Sequence, residues 1–161
     1  VLLMDLVVDA EGNVAPRLND VALSEEVALE YHSLLVNQVV RMLCAGIIHG
    51  DLSEYNILVA EDGPVIIDLP QAIDAAANST AAEMLERDVN NLRTYFSAFA
   101  PSLKDTRFGK EIWALYESGT LRPDHALTGQ VVLDEHLADV DAVLQQVELA
   151  IKEDEIRRMC R

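Results

Sequence analysis

The chain has 161 residues with a formal charge of −16, and half of its residues are apolar. This length and apolar content suit one globular domain with a buried core. The excess of acidic residues excludes broad contact with phosphate backbones or anionic lipid, so we expect no direct binding of nucleic acid. No apolar run approaches the length of about 20 residues that crosses a bilayer, so we expect no membrane partner.

The start of the sequence and its cysteines indicate the cellular setting. The first residues lack a basic region, which excludes a secretory signal peptide, and they lack an initiator methionine, so we expect the chain to be part of a longer protein. Cys44 and Cys160 are too few and too far apart for a disulfide framework or a CxxC metal site. A reducing, cytoplasmic location is therefore predicted.

The first third of the sequence predicts one strand and one long helix. Residues 1–8 are mostly aliphatic and predict a strand that runs into an extended stretch, and residues 11–16 carry loop signals. Ser24 is placed to cap a helix, with two glutamates in the first turn. Apolar residues then recur every three or four positions to about Ala45, and Gly46 ends the helix.

The remainder predicts a small hairpin and further helices. Aliphatic segments at 57–59 and 65–67 flank the turn signal Glu61-Asp62-Gly63, and a loop follows over 69–79. Helices are predicted at about 80–99, 107–118 and 134–158, with residues 122–133 as a linker. Since helices dominate and strands are few, the expected fold class is α+β, mostly α.

The segment from His49 to Asn56 holds the residues that carry chemistry. Asp51 and Asn56 stand five positions apart in a polar loop, and Asp68 follows Asn56 by twelve positions, at the end of the return strand. Phosphoryl transfer needs one carboxylate to orient the attacking hydroxyl, and a second carboxylate with an amide oxygen to hold Mg²⁺. The spacing is that of the protein-kinase catalytic loop, H-x-D-x-x-x-x-N, with its later aspartate. The alternative is a polar loop in which these side chains only cap turns.

Two segments carry a resemblance to a known family. The first, His49-Gly50-Asp51-Leu52-Ser53-Glu54-Tyr55-Asn56, resembles the catalytic loop of the RIO family of atypical protein kinases. The second, Val65-Ile66-Ile67-Asp68-Leu69-Pro70-Gln71-Ala72, resembles the metal-binding loop of that family. Leu23-Ser24-Glu25 and the segment 85–92 also match. The resemblance covers about residues 1–118 and implies a protein-kinase-like C-terminal lobe whose small hairpin carries both loops.

The resemblance implies a role for each candidate site residue. Asp51 would be the catalytic carboxylate, and Asn56 and Asp68 would bind Mg²⁺, or Mn²⁺ in its place, together with ATP. Asp68 would also be the residue that accepts the phosphoryl group, as the aspartyl-phosphate of an ATPase-like switch. Ser53 stands in the nucleotide site where typical protein kinases carry a lysine near the γ-phosphate.

Residues 1–8 resemble the last strand of a kinase small lobe and the hinge that follows it. Met4 would be the gatekeeper, and the C=O of Asp5 and the N–H of Val7 would face adenine. The expected division is a strand and hinge over 1–8, a kinase-like lobe over 9–121, and a linker with a terminal helix over 122–161. In the family, the Gly-rich loop and the strand lysine lie upstream of the hinge. We therefore expect the C-terminal lobe of a longer kinase, with little activity alone.

Several assignments stay open at this point. His49 is expected to pack and to bond backbone, whereas Asp88 suits either a bond to the catalytic loop or an exposed position on its helix. The first alternative function is a small-molecule phosphotransferase of the aminoglycoside kind, against which Ser53-Glu54-Tyr55 and Leu69-Pro70-Gln71 argue. The second is a non-catalytic, kinase-like binding module. The resemblance suggests ribosomal particles as a partner, and the protein substrate is unknown.

Overall fold

A computed structural model of the chain describes residues 5–130. The chain divides into two units, residues 1–130 and residues 131–161, so the described residues all belong to the first unit. Met4, the helix predicted over 134–158 and Cys160 lie outside the described residues. Within residues 5–130, no helix combines the length and the apolar content that a membrane span requires.

The first helix, α1, spans Glu25–Cys44 and confirms the predicted long amphipathic helix. The Ser24 hydroxyl accepts a hydrogen bond from the Val27 amide at 3.3 Å. This bond satisfies one of the N–H groups in the first turn that have no acceptor within the helix. After the helix, Gly46 has φ +80°, a left-handed conformation that glycine adopts at low cost. The buried residues of α1 are Ala28, His32, Leu35, Val36, Val39, Val40 and Leu43.

Two small antiparallel sheets follow α1. Strands β2 (Ile57–Ala60) and β3 (Gly63–Ile66) form the predicted hairpin, which turns at Glu61 and Asp62. The register places Ile57 opposite Ile66, at the end of the hairpin away from the turn. The second sheet pairs β1 (Ile47–Ile48) with β4 (Ile73–Asp74).

The segment 69–79 contains more structure than the loop that we expected. Leu69–Gln71 forms a single 3-10 turn, and β4 follows it at once. A two-residue strand is too short to show an alternating pattern of apolar and polar residues, so periodicity cannot reveal it. The pairing of β4 with β1 holds the chain after Asp68 beside the strand that leads into the polar loop.

Helices α2 (Ala81–Phe96) and α3 (Phe108–Glu117) pack against each other and against α1. Helix α2 ends at Phe96, three residues before the expected end, and the Ala98 and Phe99 amides then bond the carbonyls three residues back in tighter turns. Gly109 allows α3 to approach α2 closely, since a Cβ atom at that position would lie 3.1 Å from the Glu86 Cα.

Residues 122–130, named here the strap, pack against α3, whereas we expected a linker to begin at residue 122. The Glu111 carboxylate accepts hydrogen bonds from the Thr128 amide at 2.8 Å and the Gly129 amide at 2.7 Å. The Arg107 amide donates to the Gly129 carbonyl at 2.7 Å. The strap therefore belongs to the folded unit of residues 1–130.

The chain before α1 runs beside the hairpin. Residues 5–8, the described part of the predicted first strand, form one isolated bridge, between Val8 and Val14. The Val8 carbonyl accepts a hydrogen bond from the Glu61 amide at 3.2 Å, at the turn of the hairpin. The Pro16 carbonyl accepts another from the Val59 amide at 2.8 Å.

Candidate active site

The candidate catalytic loop, residues 49–56, connects β1 to β2, and Asp68 lies two residues beyond β3. The Ile67 amide donates to the Asn56 carbonyl at 2.9 Å, which extends the hairpin pairing by one step past Ile57 and Ile66. The structure therefore brings Asn56 and Asp68 together at the end of the hairpin away from its turn. Asp51 and Asp68 are exposed, and Asn56 is half-buried.

The Asn56 side chain ties the end of the loop back to Asp51. Its side-chain amide nitrogen donates to the Asp51 carbonyl at 2.8 Å. Because the nitrogen is used in this way, the amide oxygen is the atom of Asn56 that suits a metal ion. The same contact fixes the spacing between Asp51 and Asn56 in space.

His49 is a buried backbone-bonding residue, as expected. It is 2% exposed, and its Nε2 donates to the Ile67 carbonyl at 2.9 Å. The Asp51 amide donates to His49 Nδ1 at 3.3 Å, so the ring is in the tautomer that carries its proton on Nε2. The imidazole thus ties the peptide beside Asp51 to the peptide beside Asp68.

Asp88 on α2 bonds the catalytic loop, so the alternative of an exposed helix carboxylate is wrong. It is 1% exposed, and its two oxygens accept from the Gly50 amide at 2.8 Å and the Leu52 amide at 3.0 Å. Burial raises the pKa of the Asp88 carboxyl, while those two hydrogen bonds and the nearby positive charge of Arg87 act in the opposite direction.

Two further side chains of α2 contact the same loop. Arg87 donates from Nη2 to the Gly50 carbonyl, and Asn91 donates from Nδ2 to the Leu52 carbonyl at 3.0 Å. Sequence reasoning gave neither residue a role. The available signal was the position of Asn91, which lies four residues after Arg87 and three after Asp88, because residues three and four apart share one face of a helix.

Asp68 has an unusual backbone conformation. Its φ of +68° and ψ of +46° are left-handed, and among the described residues it is the one non-glycine residue with positive φ. Aspartate tolerates this conformation better than most residues, although at some cost in energy. Such conformations persist where the surrounding structure enforces them, and they concentrate at functional sites.

The donor atoms at this end of the hairpin suit Mg²⁺. Residues 5–130 contain no cluster of three or more histidine, cysteine, aspartate or glutamate side chains that would enclose a metal ion. The Asp68 carboxylate and the Asn56 amide oxygen are hard oxygen donors, and Mg²⁺ typically binds to one or two protein groups together with phosphate and water. The chemistry of these two donor groups is therefore compatible with Mg²⁺.

The other residues predicted to contact the nucleotide lie apart from Asn56 and Asp68 or elsewhere in the catalytic loop. Ser53 is half-buried and precedes the single 3-10 turn Glu54–Asn56 in the catalytic loop. Val7 lies nearer the turn of the hairpin, because its carbonyl accepts from the Ala15 amide at 2.9 Å and the next residue bonds Glu61. Asp5 is exposed.

Comparison with known proteins matches the chain to one protein family. The family model of the RIO domain matches residues 1–108. The RIO-type serine/threonine-protein kinase Rio1 of Haloferax volcanii is 37% identical over 101 residues, which are 60% of this chain and 32% of that protein. The Rio1 kinase of Methanocaldococcus jannaschii is 36% identical over 98 residues, with the same two shares. The serine/threonine-protein kinase rio2 of Schizosaccharomyces pombe is 39% identical over 66 residues, which are 40% of this chain and 19% of that protein.

Because the family model covers more than half of its length, the chain belongs to the RIO family. The relatives just described carry the names of the two kinases Rio1 and Rio2. The matched part of the chain spans about a third of the length of the first two relatives. We therefore state the activity of the whole protein only as a proposal.

Proposed function

We propose that residues 5–130 form a protein-kinase-like C-terminal lobe that transfers phosphoryl groups from ATP, as a RIO-type serine/threonine kinase or ATPase. The observation that carries this proposal is the hydrogen bond between Ile67 and Asn56. It brings the loop that begins at His49 and the chain that ends at Asp68 to the same end of one hairpin.

Each residue of the site has a distinct task in this proposal. Asp51 is exposed on a fixed loop, where it would orient the acceptor hydroxyl and accept its proton. Asn56 and Asp68 would hold Mg²⁺, or Mn²⁺ in its place. The bound cation would offset the negative charge of the phosphates. Positioning and electrostatic stabilisation supply most of the catalysis in phosphoryl transfer, so the rigidity of the loop is central.

The nucleotide contacts follow from the family resemblance. The backbone of Asp5 and Val7 would bond adenine, with Met4 as gatekeeper, and Ser53 would face the phosphates. Since Ser53 supplies no positive charge, the phosphates would depend more on the metal ion than they do in typical protein kinases. Asp68 is also the residue proposed to accept the phosphoryl group when the protein acts as an ATPase.

The first test is a calorimetric titration of the chain with ATP and Mg²⁺, repeated with Mn²⁺. We expect measurable binding that Asp68→Asn abolishes, because the backbone tolerates asparagine there while the metal ligand loses its charge. Asp51→Asn should keep the affinity within about threefold, since Asp51 acts on the acceptor and not on the metal. Asp62→Asn, at the turn of the same hairpin, is the matched control and should bind as the wild type does.

The second test measures phosphate transfer by the protein at its natural length with radiolabelled ATP. Label on a protein acceptor or on Asp68 would support the kinase or ATPase proposal. Label on a small hydroxylated compound such as an aminoglycoside would favour a small-molecule phosphotransferase. Equal binding of ATP by the wild type and Asp68→Asn, with no transfer, would contradict the proposal and leave a binding module. Cytoplasmic location stays a proposal that rests on the cysteine content, and association with ribosomal particles stays a proposal that rests on the resemblance.

A further inference from the structure

We propose that Arg87 is a positioning residue that sets the direction in which Asp51 projects. This inference rests on the proposed function, because it gives Asp51 the catalytic task. Arg87 lies on α2, and its guanidinium donates to the carbonyl of Gly50, the residue before Asp51.

Two peptide planes meet at the Cα atom of Asp51 and determine its φ and ψ angles. In the preceding plane, the Gly50 carbonyl accepts from Arg87, and the Asp51 amide donates to His49 at 3.3 Å. In the following plane, the Asp51 carbonyl accepts from Asn56 at 2.8 Å, and the amide of the next residue donates to Asp88 at 3.0 Å. Each plane is thus held at both of its polar ends, and all four partners are side chains.

This arrangement differs from the usual way in which a backbone is fixed. The four polar groups of these two planes bond no backbone group of a helix or strand, so side chains hold both planes that flank Asp51. The preceding plane is the less firmly held of the two, because Gly50 has φ +83° and glycine moves between backbone conformations at little cost. Without Arg87 that plane keeps only the 3.3 Å contact with His49. We therefore expect Asp51 to lose its fixed direction when Arg87 is removed.

The charge of Arg87 supports the same task. Arg87 is the one lysine or arginine between residues 42 and 92, the part of the sequence that holds Asp51, Asp68 and Asp88. Burial raises the pKa of Asp88, and the positive charge of Arg87 opposes that rise, which favours the ionised carboxylate that accepts from the loop. The guanidinium thus acts on the preceding plane directly and on the following plane through Asp88.

The chain provides a matched control for the test. Arg93 also lies on α2 and also donates to a backbone carbonyl, that of Thr106 at 3.2 Å, away from the catalytic loop. The experiment compares Arg87→Met, Arg87→Lys and Arg93→Met in the protein at its natural length. The rate and KM of phosphate transfer from ATP are measured first. Exchange of the Asp51 amide hydrogen is then followed by NMR.

We expect Arg87→Met to lower kcat by about 10- to 100-fold, with the KM for ATP changed by less than about threefold, because misplaced groups cost rate more than binding. Arg87→Lys keeps a cationic donor and should recover most of the loss. Arg93→Met should leave kcat near the wild-type value. In Arg87→Met, the Asp51 amide should exchange at least about tenfold faster than in Arg93→Met.

The two readouts separate this inference from the proposed function. A wild-type protein without transfer activity would overturn the proposed function. The exchange rate of the Asp51 amide would still test whether Arg87 holds the loop in place. Unchanged kcat and unchanged amide exchange in Arg87→Met would overturn the inference. Equal losses in Arg87→Met and Arg93→Met would also overturn it, since they would indicate a general loss of stability.

Discussion

His32 shows how a single side chain makes the stability of the protein depend on pH. It is 2% exposed on the inner side of α1, and its ring lies 5.8 Å from the Phe96 ring and 5.4 Å from the Phe108 ring, between centroids. Its Nε2 has no hydrogen-bond partner among the described residues. Burial lowers the pKa of His32 from 6.5 to about 4, so the ring is neutral in the folded protein at physiological pH.

The free energy of unfolding should therefore fall as the pH drops below 6.5. The unfolded chain binds a proton at His32 near pH 6.5, and the folded chain binds it only near pH 4. Between these values the unfolded state holds more protons, which lowers the free energy of unfolding by about 2 kcal/mol between pH 7.5 and pH 5. Urea titrations at the two pH values measure this loss, which His32→Leu should largely remove.

His125 supplies the control for this measurement. It lines the same cavity of about 480 Å³ as His32, together with Asp124 and Phe108, but it is only half-buried. His125→Gln should keep the wild-type dependence on pH. A His32→Leu protein that loses as much stability as the wild type between pH 7.5 and pH 5 would show that other groups cause the effect.

The limits of prediction from sequence are clear at single residues. The spacing of Asp51 and Asn56 could be recognised because both lie in one short segment, and the chemistry of the loop requires them at that distance. The hydrogen bonds of Asp88 could not be predicted in this way, because its partners Gly50 and Leu52 lie 38 and 36 positions away in the sequence. Burial separates a bonded carboxylate from an exposed one, and a helical pattern alone does not show burial.

Among the elements, the contact between α2 and α3 depends on the absence of a side chain at Gly109. Alanine in place of glycine inside an exposed helix usually stabilises by about 1 kcal/mol. Here the added Cβ would meet the Glu86 Cα at 3.1 Å and the Val89 Cβ at 3.4 Å, so the backbone of α2 would have to shift by a few tenths of an ångström. We expect Gly109→Ala to lower the free energy of unfolding by about 1–3 kcal/mol.

Urea unfolding of Gly109→Ala, beside Lys110→Ala, tests this expectation. Lys110 is the exposed neighbour of Gly109, and its ion pair with Glu86 at 3.9 Å is partly exposed, so its loss should cost less than about 0.5 kcal/mol. Greater stability of Gly109→Ala than of the wild type would mean that the two helices separate without cost.

The strap depends on one carboxylate of α3. Glu111 accepts hydrogen bonds from the Thr128 amide, the Thr128 hydroxyl and the Gly129 amide, at 2.7–2.9 Å. In Glu111→Ala these groups lose their acceptor, so the Thr128 and Gly129 amides should exchange hydrogen at least about tenfold faster than in the wild type. Glu117→Ala, at the exposed end of the same helix, is the control. Slow exchange in Glu111→Ala would show that the bond from Arg107 to Gly129 and packing on Phe108 hold the strap without Glu111.

The elements that the sequence predicts well are the long ones. Helices α1, α2 and α3 repeat an apolar position over three or more turns or have a clear start or stop signal, as Ser24 and Gly46 show for α1. Strand β4 lies where we expected a loop, and the strap lies where we expected a linker. Two residues are too few for a pattern, and the strap is held by Glu111, which lies 17 positions before Thr128.

For the whole molecule, the dominant property is the charge of −16. Within residues 5–130 the one ion pair found joins Lys110 to Glu86, so few of the carboxylates have a nearby positive partner. Repulsion among them opposes the compact state and is screened by salt. Raising NaCl from 20 mM to 500 mM at pH 7.5 should therefore stabilise the fold by about 1 kcal/mol, or roughly 4 °C in Tm.

The same titration near pH 4.4 is the control, because the sequence pI is about 4.4 and net repulsion vanishes there. At that pH NaCl should change Tm little. An equal gain at both pH values would indicate a general effect of salt on apolar burial and not the relief of repulsion.

The left-handed backbone of Asp68 has a consequence for how this protein changes over generations. Asparagine and glycine are the two residues that best tolerate that conformation, and both are reached from an aspartate codon by one base substitution. Either residue would suit this backbone conformation, and either mutation would remove the carboxylate that is proposed to bind the metal ion. We therefore expect that a single base substitution in such a gene removes the proposed metal-binding carboxylate while the fold is kept.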